Sequence, residues 1–363
     1  MKTKKKIRLG FPLALILPLL LVGLFFPLRT CRSFMDFWVF RVVGPFEQFC
    51  GRIWSIFPFS IVELAAILLI LGTLYVLIWS LVGLCRNRQV KLFFHRVGVL
   101  LAIWLWVLAA FYWLWNTAYY ASTFSQRSEL ISTPYSTHEL ALVTDYFAQH
   151  AARLSDQVKR DQELHWTEDL DSCIQNSSEL YANIEEIFPC LRENSVKVKP
   201  LKLSRLQSIF GFTGVYSPFT GEANINIDAP AASIPSTIGH EMSHQRMVAS
   251  ELEANFIGIA ACTTSDDVVF QYSGYLSGLM YLSNALHSAA PELWRSIVDT
   301  HFTPEMVTDW NDNRDYWKAL SSPVDQIADQ AYDAFLKGND QELGVRSYGA
   351  CVDLLVAYYL PLI

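Results

Sequence analysis

The sequence predicts a membrane protein in which three transmembrane helices precede a mostly helical α+β domain. Of its 363 residues 52% are hydrophobic, which is high for a water-soluble chain of this length. The charge is divided as sharply as the hydrophobicity: residues 1–116 contain 13 basic and 3 acidic side chains, and residues 117–363 contain 15 and 32. The chain is long enough for two domains, and we place the boundary between these two ranges.

Three apolar runs are long enough to cross the hydrocarbon core of a bilayer as helices. They cover residues 9–28, 59–84 and 97–115. The first run is longer than the apolar part of a usual signal peptide and no clear cleavage site follows it, so we interpret it as a retained span. The spans contain almost no charge beyond Glu63, which makes a transporter the weaker interpretation.

Basic residues mark the cytoplasmic ends of the spans. The chain begins with MKTKKKIR, and the connection between the second and third spans contains Arg86, Arg88, Lys91 and Arg96. Both segments place the N-terminus in the cytoplasm and the C-terminal domain outside it. Residues 29–58 are then external. They are rich in aromatic side chains, and we expect them to lie on the membrane surface or to pack on the domain.

The net charge and the cysteines exclude some functions and leave one question open. Residues 117–363 carry a formal charge of −17, which gives no electrostatic footprint for nucleic acid. None of the seven cysteines belongs to a CxxC pair, so a structural zinc knuckle is not indicated. Cys31 with Cys50, and Cys173 with Cys190, are two pairs that an oxidising compartment would allow to form disulfides.

Periodicity places most of the domain in helices and one segment in a strand. Gly221–Asp228 alternates between apolar and polar residues, as a half-buried strand does, and Pro230 ends it. Pro235 then fits the first turn of a helix that continues to about residue 261 with one break. Further helices are predicted from Thr137 onward and at 175–193, 268–289, 291–300, 322–337 and 345–359.

The helix after this strand contains an HExxH motif, formed by His240, Glu241 and His244. Two histidines four residues apart lie on one helical face, where both imidazoles can bind a single zinc ion. The glutamate beside them is placed to take a proton from a water that the metal acidifies. The motif arises by chance in about one such chain in a hundred, and its context, after a strand and at the opening of a helix, favours a metal site.

A third ligand is needed, because catalytic zinc sites use three protein side chains and keep the fourth position open. The segment ExxAN provides Glu251, with Glu253 as the alternative, and we favour Glu251. Asn255 shares the helical face of Glu251 and is predicted to hydrogen-bond a ligating histidine. Only six residues separate His244 from Glu251, so the chain must turn quickly, and Met247 lies where glycine would turn more easily.

These residues resemble known patterns. GHEMSHQ followed by ELEANF is similar to the gluzincin peptidases, in which HExxH precedes ExxA[DN]. The stretch from Tyr216 to Met247, with ELEANFIGIAAC and the late SYG, also resembles an uncharacterised family of bacterial membrane proteins with three N-terminal spans and a zincin-like extracytoplasmic domain. The resemblance implies a zincin-like metallopeptidase fold, one zinc ion per chain and a place in the bacterial cytoplasmic membrane.

By this resemblance His240, His244 and Glu251 bind the zinc ion and Glu241 is the general base. The expected function is hydrolysis of peptide bonds in envelope or secreted proteins by an enzyme anchored in the lipid bilayer. The alternative, from another class, is a non-catalytic metal-binding scaffold that organises partners in the envelope.

Two further parts of an active site are predicted. In zincins an edge strand beside the active helix pairs with the extended substrate, which makes the strand of Asn224 and Asn226 a candidate substrate strand; it equally well only completes the sheet. A donor to the oxyanion is also needed. Tyr348 is our first candidate for it, with His287 and Tyr272 as alternatives.

Overall fold

The computed structural model of the protein describes residues 10–193, 196–339, 341 and 348–363. In these residues the chain is mostly helical and has one three-stranded sheet. The helices of the N-terminal part are α1 (Gly10–Leu28), α2 (Arg32–Trp38), α3 (Gly44–Trp54), α4 (Ile61–Asn87) and α5 (Val90–Leu114). Those of the remainder are α6 (Phe124–Ser128), α7 (Thr137–Leu154), α8 (Leu170–Asn176), α9 (Ala182–Ile187), α10 (Ser204–Ile209), α11 (Ile234–His244), α12 (Glu251–Thr264), α13 (Val268–Ala289), α14 (Pro291–His301), α15 (Pro304–Leu320), α16 (Pro323–Gly338) and α17 (Tyr348–Tyr359).

Among the described residues, three helical segments are long and apolar enough to cross a membrane, which confirms the prediction of three candidate spans. They are Phe11–Leu28, Ile61–Asn87 and Val90–Tyr120. The second and third extend further toward each other than predicted, because the Arg, Lys and Gln residues between them are good helix formers. The chain reverses at Arg88, whose φ of +51° lies in the left-handed region.

The sheet consists of β1 (Lys199–Pro200), β2 (Gly214–Ser217) and β3 (Glu222–Ile225), in the spatial order β1-β3-β2. β3 pairs parallel with β1 and antiparallel with β2. The strand predicted at Gly221–Asp228 is therefore shorter, and it is central. The expectation of an edge strand at this position was wrong, since β2 forms that edge.

Residues 29–58, for which we expected a place on the membrane surface or on the domain, pack against the domain. A π-helical turn (Val39–Val43) joins α2 to α3, and both of its ends are buried in the domain core. Glu47 of α3 is buried and accepts a hydrogen bond from the Tyr216 hydroxyl of β2. This segment is therefore part of the support beneath the sheet.

The second span is attached to the domain through hydrogen bonds at its N-terminal end. Glu222 of β3 accepts hydrogen bonds from the first two backbone N–H groups of α4, where a carboxylate is favourable, and it also pairs with Lys199. In return, Glu63 of α4 accepts hydrogen bonds from the backbone N–H groups of Lys202 and Leu203. The carboxylate that we noted in the second span thus serves this junction.

The centre of the domain is formed by α11, α12 and α13, which pack on one another, while α7 packs on α13. The predicted long helix with one break is α11 followed by α12. The helix predicted at 175–193 is instead α8, a short 3₁₀ turn and α9. The Ser177 hydroxyl donates to the carbonyl of Ile174, and such local hydrogen bonds compete with a continuous helix.

Candidate metal site

Helices α11 and α12 bring the HExxH residues and the following glutamate together. α11 presents His240 and His244 one turn apart, and α12 begins at Glu251 after a short break. The two helices approach each other closely at Gly239 and Gly258, where a β-carbon on Gly258 would lie 2.6 Å from the backbone nitrogen of His240. The missing side chains allow α12 to lie close enough for its first turn to reach the histidines.

The break between the two helices turns at Met247, whose φ is +57°. Residues other than glycine rarely adopt this conformation, and burial of the side chain offsets its cost. Met247 is only 4% exposed and packs against Gly44 of α3. The adjacent Arg246 is buried and pairs with Glu185 at 2.7 Å. The predicted rapid turn is present, and the segment before the second span supports it.

The three residues proposed as ligands lie close enough to bind one metal ion. His240 Nε2 lies 3.2 Å from both His244 Nε2 and Glu251 Oε2, and His244 Nε2 lies 3.7 Å from Glu251 Oε1. A tetrahedral zinc site with bonds of about 2.1 Å separates its ligand atoms by about 3.4 Å. Among the described residues, these three form the group of metal-ligating side chains that meets in this way. The donor set therefore fits zinc in spacing and in chemistry.

Hydrogen bonds leave the appropriate histidine nitrogens available. The carbonyl oxygen of Val248 lies 2.6 Å from His244 Nδ1, and because a carbonyl can only accept, we assign the proton to Nδ1. The lone pair of the neutral ring is then on Nε2, which faces His240 and Glu251. Asn255 lines the cleft together with His240 and contributes to the raised pKa of that histidine.

Burial and the charges of neighbouring groups set the protonation of the three side chains. Burial lowers the pKa of His244 to about 4, so that this ring is neutral at pH 7. Burial alone would raise the pKa of Glu251, but the two histidines and the Tyr332 hydroxyl lower it to about 2. Burial alone would lower the pKa of His240, but the hydrogen bond and charge of Glu251 raise it to about 9. A metal ion that binds here at pH 7 therefore displaces a proton from His240.

Glu241 lies in the same cleft as the three ligands. Its side chain is held against β2 at Gly214, where a β-carbon would lie 2.6 Å from Oε1. Burial raises the pKa of Glu241 to about 8, the positive charge of His240 opposes this shift, and Glu251 adds to it. A general base is most effective when its pKa is near the working pH, so this carboxylate is suited to accept and return a proton.

The cleft around these residues has a volume of about 620 Å³. One wall is formed by β2 and the residues before it, and the other walls are formed by α12, α13, α15 and α16. Its remaining side is formed by Phe111, Trp115 and Tyr119, which lie at the end of the third candidate span. The cleft is therefore built jointly by the domain and by the third candidate span.

Sequence reasoning missed two residues that shape this site. The Tyr332 hydroxyl of α16 donates a hydrogen bond to Glu251 Oε1. The Trp115 ring meets the edge of the His244 ring, with 5.4 Å between the ring centroids. Both are far from the HExxH motif in the sequence, and no motif connects them to it.

Glu253, the alternative third ligand, is placed elsewhere by the helix. Its two carboxylate oxygens accept hydrogen bonds from the backbone N–H groups of Phe124 and Ser125, and the Ser125 hydroxyl also donates to it. Glu253 therefore caps α6. Because Glu251 and Glu253 are two residues apart on α12, they face different sides of that helix.

The predicted substrate strand does not present Asn224 and Asn226 to the cleft. The Asn224 side chain donates to the carbonyl groups of Val215 and Glu222, and Asn226 donates to Ser208 and to the carbonyl of Phe212. Both asparagines are fully buried. That expectation was wrong because β3 is covered on both sides, so its polar residues form hydrogen bonds inside the domain.

The candidates for an oxyanion donor have different outcomes. Tyr348 was our first candidate for this donor, and its side chain lies outside the described part of the structure. Tyr272 is fully buried and donates its hydroxyl hydrogen bond to Asp309, which also pairs with Arg160. His287 is exposed on α13 and lies against Trp294. Tyr272 therefore belongs to a buried structural network rather than to the cleft.

Comparison with known proteins gives one family. A family model described as "Protein of unknown function (DUF3810)" matches residues 41–356, a range that includes the second and third candidate spans and all the residues around the candidate metal site. No curated protein and no solved structure matches the chain.

Proposed function

We propose that this chain, which belongs to the DUF3810 family, is a membrane-anchored zinc metallohydrolase that cleaves peptide bonds. The observation that carries the proposal is the arrangement of His240, His244 and Glu251 around one point, with Glu241 in the same cleft. Two imidazoles and a carboxylate, with access from a cleft, are the ligands of catalytic zinc sites, whereas structural sites usually complete their coordination with protein side chains. The fold that this proposal implies is zincin-like.

The residues of the site have distinct roles in this proposal. His240, His244 and Glu251 hold the ion, Asn255 orients His240, and Tyr332 fixes the position of Glu251. A zinc ion in such a site acts as a Lewis acid and makes water acidic enough to ionise near neutral pH. The metal is proposed from the donor set, because imidazole and carboxylate ligands in this geometry suit zinc.

Glu241 performs the proton transfer in this mechanism. It accepts a proton from the attacking water, whose oxygen forms a bond to the carbonyl carbon of the peptide. The C–N bond of the peptide then breaks, and Glu241 gives the proton to the leaving amine. Glu241 lies in the same cleft as the three ligands, so one carboxylate can serve both proton transfers.

Two features favour a polypeptide substrate. β2 is the edge of the sheet beside α11, pairs with β3 on one side and, within the described residues, with no strand on the other, and has Val215 40% exposed. An extended peptide can add to such an edge through main-chain hydrogen bonds. The position after three spans, with basic residues at the opposite membrane face, suggests that the substrates are envelope or secreted proteins outside the cytoplasm.

The test uses the full chain, purified in detergent and loaded with zinc, with a pool of random-sequence peptides analysed by mass spectrometry. We expect the wild type to cleave peptides and Glu241→Gln to lose cleavage by at least about 100-fold while keeping its zinc. Glu292→Gln, at an exposed position of α14, is the matched control and retains activity. A folded, zinc-loaded wild type that cleaves nothing would favour the alternative of a non-catalytic metal-binding scaffold.

A further inference from the structure

We infer that the substrates are polypeptides anchored in the same membrane and that the cleaved bond lies within a few residues of the bilayer surface. This inference rests on the proposed hydrolytic function and adds the substrate class. It is carried by the position of the metal-ligating residues relative to the third candidate span. In the sequence the two are about 120 residues apart, and folding brings them into contact.

The metal site lies at the end of a membrane helix. Trp115 directly follows the last residue of α5, and its ring lies 5.4 Å from both the His244 ring and the Tyr216 ring. Trp115 is only 8% exposed and packs in the domain core, so its position at the C-terminal end of α5 is what places it near the boundary between the hydrocarbon core and water. His244 is therefore within one side chain's length of residues that lie at this boundary.

The membrane helix also forms part of the cleft itself. Phe111, in the last turn of α5, faces the cleft and contacts the rings of Phe219 and Phe335. Tyr119 lines the cleft beside Trp115 and contacts Phe335 of α16. A substrate in the cleft consequently touches residues that belong to the span.

An apolar groove continues from this side of the cleft along the membrane helices. It has a volume of about 620 Å³ and is lined by Phe11 and Ala14 of α1, by one face of α5 from Val99 to Ala110, and by Phe219. The groove meets the cleft where the Phe219 ring of the groove lies 6.4 Å from the Phe111 ring of the cleft. An apolar segment in the bilayer can therefore lie against α1 and α5 and lead directly into the cleft.

The occupant to which we assign this path is the transmembrane segment of the substrate. An extended chain advances about 3.3 Å per residue, so the spacing between Trp115 and His244 corresponds to about two residues. A chain that leaves the bilayer beside Phe219 enters the cleft next to Phe111, whose ring lies 6.4 Å from the Phe219 ring. The edge of β2 then provides main-chain hydrogen bonds along this short path.

The test compares anchored and free peptides with the full chain reconstituted in phosphatidylethanolamine–phosphatidylglycerol vesicles. One random-sequence segment is prepared as a free peptide and is also attached to a poly(Leu-Ala) transmembrane helix, through a Gly-Ser spacer of about 2 or about 20 residues. The path described here predicts that the short-spacer peptide is cut at least about tenfold faster than the long-spacer peptide and that the cuts lie near the helix. A longer flexible spacer lowers the effective concentration of the peptide at the site, and this effect alone makes cleavage of the short-spacer peptide faster. The position of the cuts is therefore the decisive measurement.

A variant tests whether the apolar groove guides the anchored substrate into the cleft. Phe219→Asp places a charge in the apolar path and is expected to lower the ratio of anchored to free cleavage by about tenfold or more. Leu206→Asp, at an exposed apolar position of α10, is the matched control and leaves that ratio unchanged. Rapid cleavage of free or long-spacer peptides, with cuts far from the helix, would overturn the inference but not the hydrolytic function. No cleavage of any peptide by the zinc-loaded wild type would contradict the hydrolytic function and, with it, this inference.

Discussion

Glu251 and Glu253 are two residues apart on α12, yet their contacts differ completely. Glu251 lies beside the two histidine Nε2 atoms and accepts a hydrogen bond from Tyr332. Glu253 accepts hydrogen bonds from the first turn of α6. The first environment suits a carboxylate that binds a metal ion, and the second suits one that caps a helix.

This difference predicts opposite effects of two similar substitutions. Glu251→Gln removes a charged ligand and should abolish stoichiometric zinc binding, while the chain remains folded. Glu253→Gln should keep the zinc and lower the free energy of unfolding by about 1–3 kcal/mol, because buried hydrogen bonds to a charged group are weakened. Zinc analysis and thermal unfolding of both variants in detergent check this. Loss of zinc from Glu253→Gln alone would reverse the assignment.

Helical spacing predicts that His240 and His244 share a face of α11, whereas Glu251, at the start of α12, was chosen from the ExxAN pattern. Asn255, predicted from its spacing to Glu251 on α12, lines the cleft with His240, and its role in orienting that histidine stays a prediction. Tyr332 and Trp115 could not be predicted, because their contacts depend on how α16 and α5 pack on the site. We predicted that the strand of Asn224 and Asn226 contacts the substrate, but both side chains are buried. A polar residue in an alternating strand can be buried when it has hydrogen-bond partners.

At the scale of elements, the site depends on how closely α11 and α12 approach. Gly239 and Gly258 face each other at this crossing, and a β-carbon on either would lie within 2.8 Å of backbone atoms of the other helix. Backbone atoms within two packed helices cannot move aside as a flexible side chain can. The distance between His240 and Glu251 is therefore coupled to this contact.

Gly258→Ala is predicted to weaken zinc binding although the residue does not touch the ligands' side-chain atoms. Alanine gains about 1 kcal/mol of helix propensity over glycine, but its methyl group would separate α12 from α11 and lower both stability and zinc affinity. Isothermal titration with zinc measures the affinity. Gly338→Ala is the matched control, because a β-carbon there meets no atom within 4 Å. If Gly258→Ala and Gly338→Ala bound zinc equally tightly, the close contact between α11 and α12 would not determine the zinc affinity.

Elements with a strong local pattern were predictable, and those that depend on partners were not. The three apolar helices and the break between α11 and α12 follow from composition and from the spacing of the motifs. α15 was not predicted, since its many polar residues obscure the helical period. β3 was expected at an edge of the sheet and is central, because the short strands β1 and β2 pair on either side of it, which the sequence does not show.

At the scale of the whole molecule, the membrane part and the domain share buried polar contacts. Glu222 caps α4, Glu63 binds the chain after β1, and Glu47 of α3 is hydrogen-bonded to Tyr216 of β2. Composition could separate an apolar part from an acidic part, but it could not show these contacts. Because these contacts join the two parts of the protein, experiments on the candidate metal site should use the full chain rather than residues 117–363 alone.

The buried carboxyl group of Glu47 makes the free energy of unfolding depend on pH. Burial raises the pKa of Glu47 well above its usual value of 4.5, and the hydrogen bond from Tyr216 opposes the shift only in part. The folded protein then binds the proton more tightly than the unfolded chain, so the free energy of unfolding falls as the pH rises from about 4.5 toward the raised pKa. The slope from one such group is at most about 1.4 kcal/mol per pH unit.

Glu47→Gln is therefore expected to gain stability relative to the wild type as the pH rises. The glutamine oxygen can still accept the Tyr216 hydrogen bond, and no buried charge forms. Thermal midpoints of the full chain in detergent at about pH 5 and about pH 7.5 measure the difference, with Glu292→Gln as an exposed control. A difference that stays constant, or that turns against the variant at the higher pH, would contradict the raised pKa.

The zinc content of the purified full chain tests the central claim most directly, measured beside the double variant His240→Ala, His244→Ala and the exposed control His287→Ala. We predict about one zinc ion per chain in the wild type and the control, and none in the double variant. Circular dichroism of each protein establishes that it is folded. A folded wild type that binds no zinc when zinc is supplied, or a double variant that binds as much as the wild type, would contradict the account.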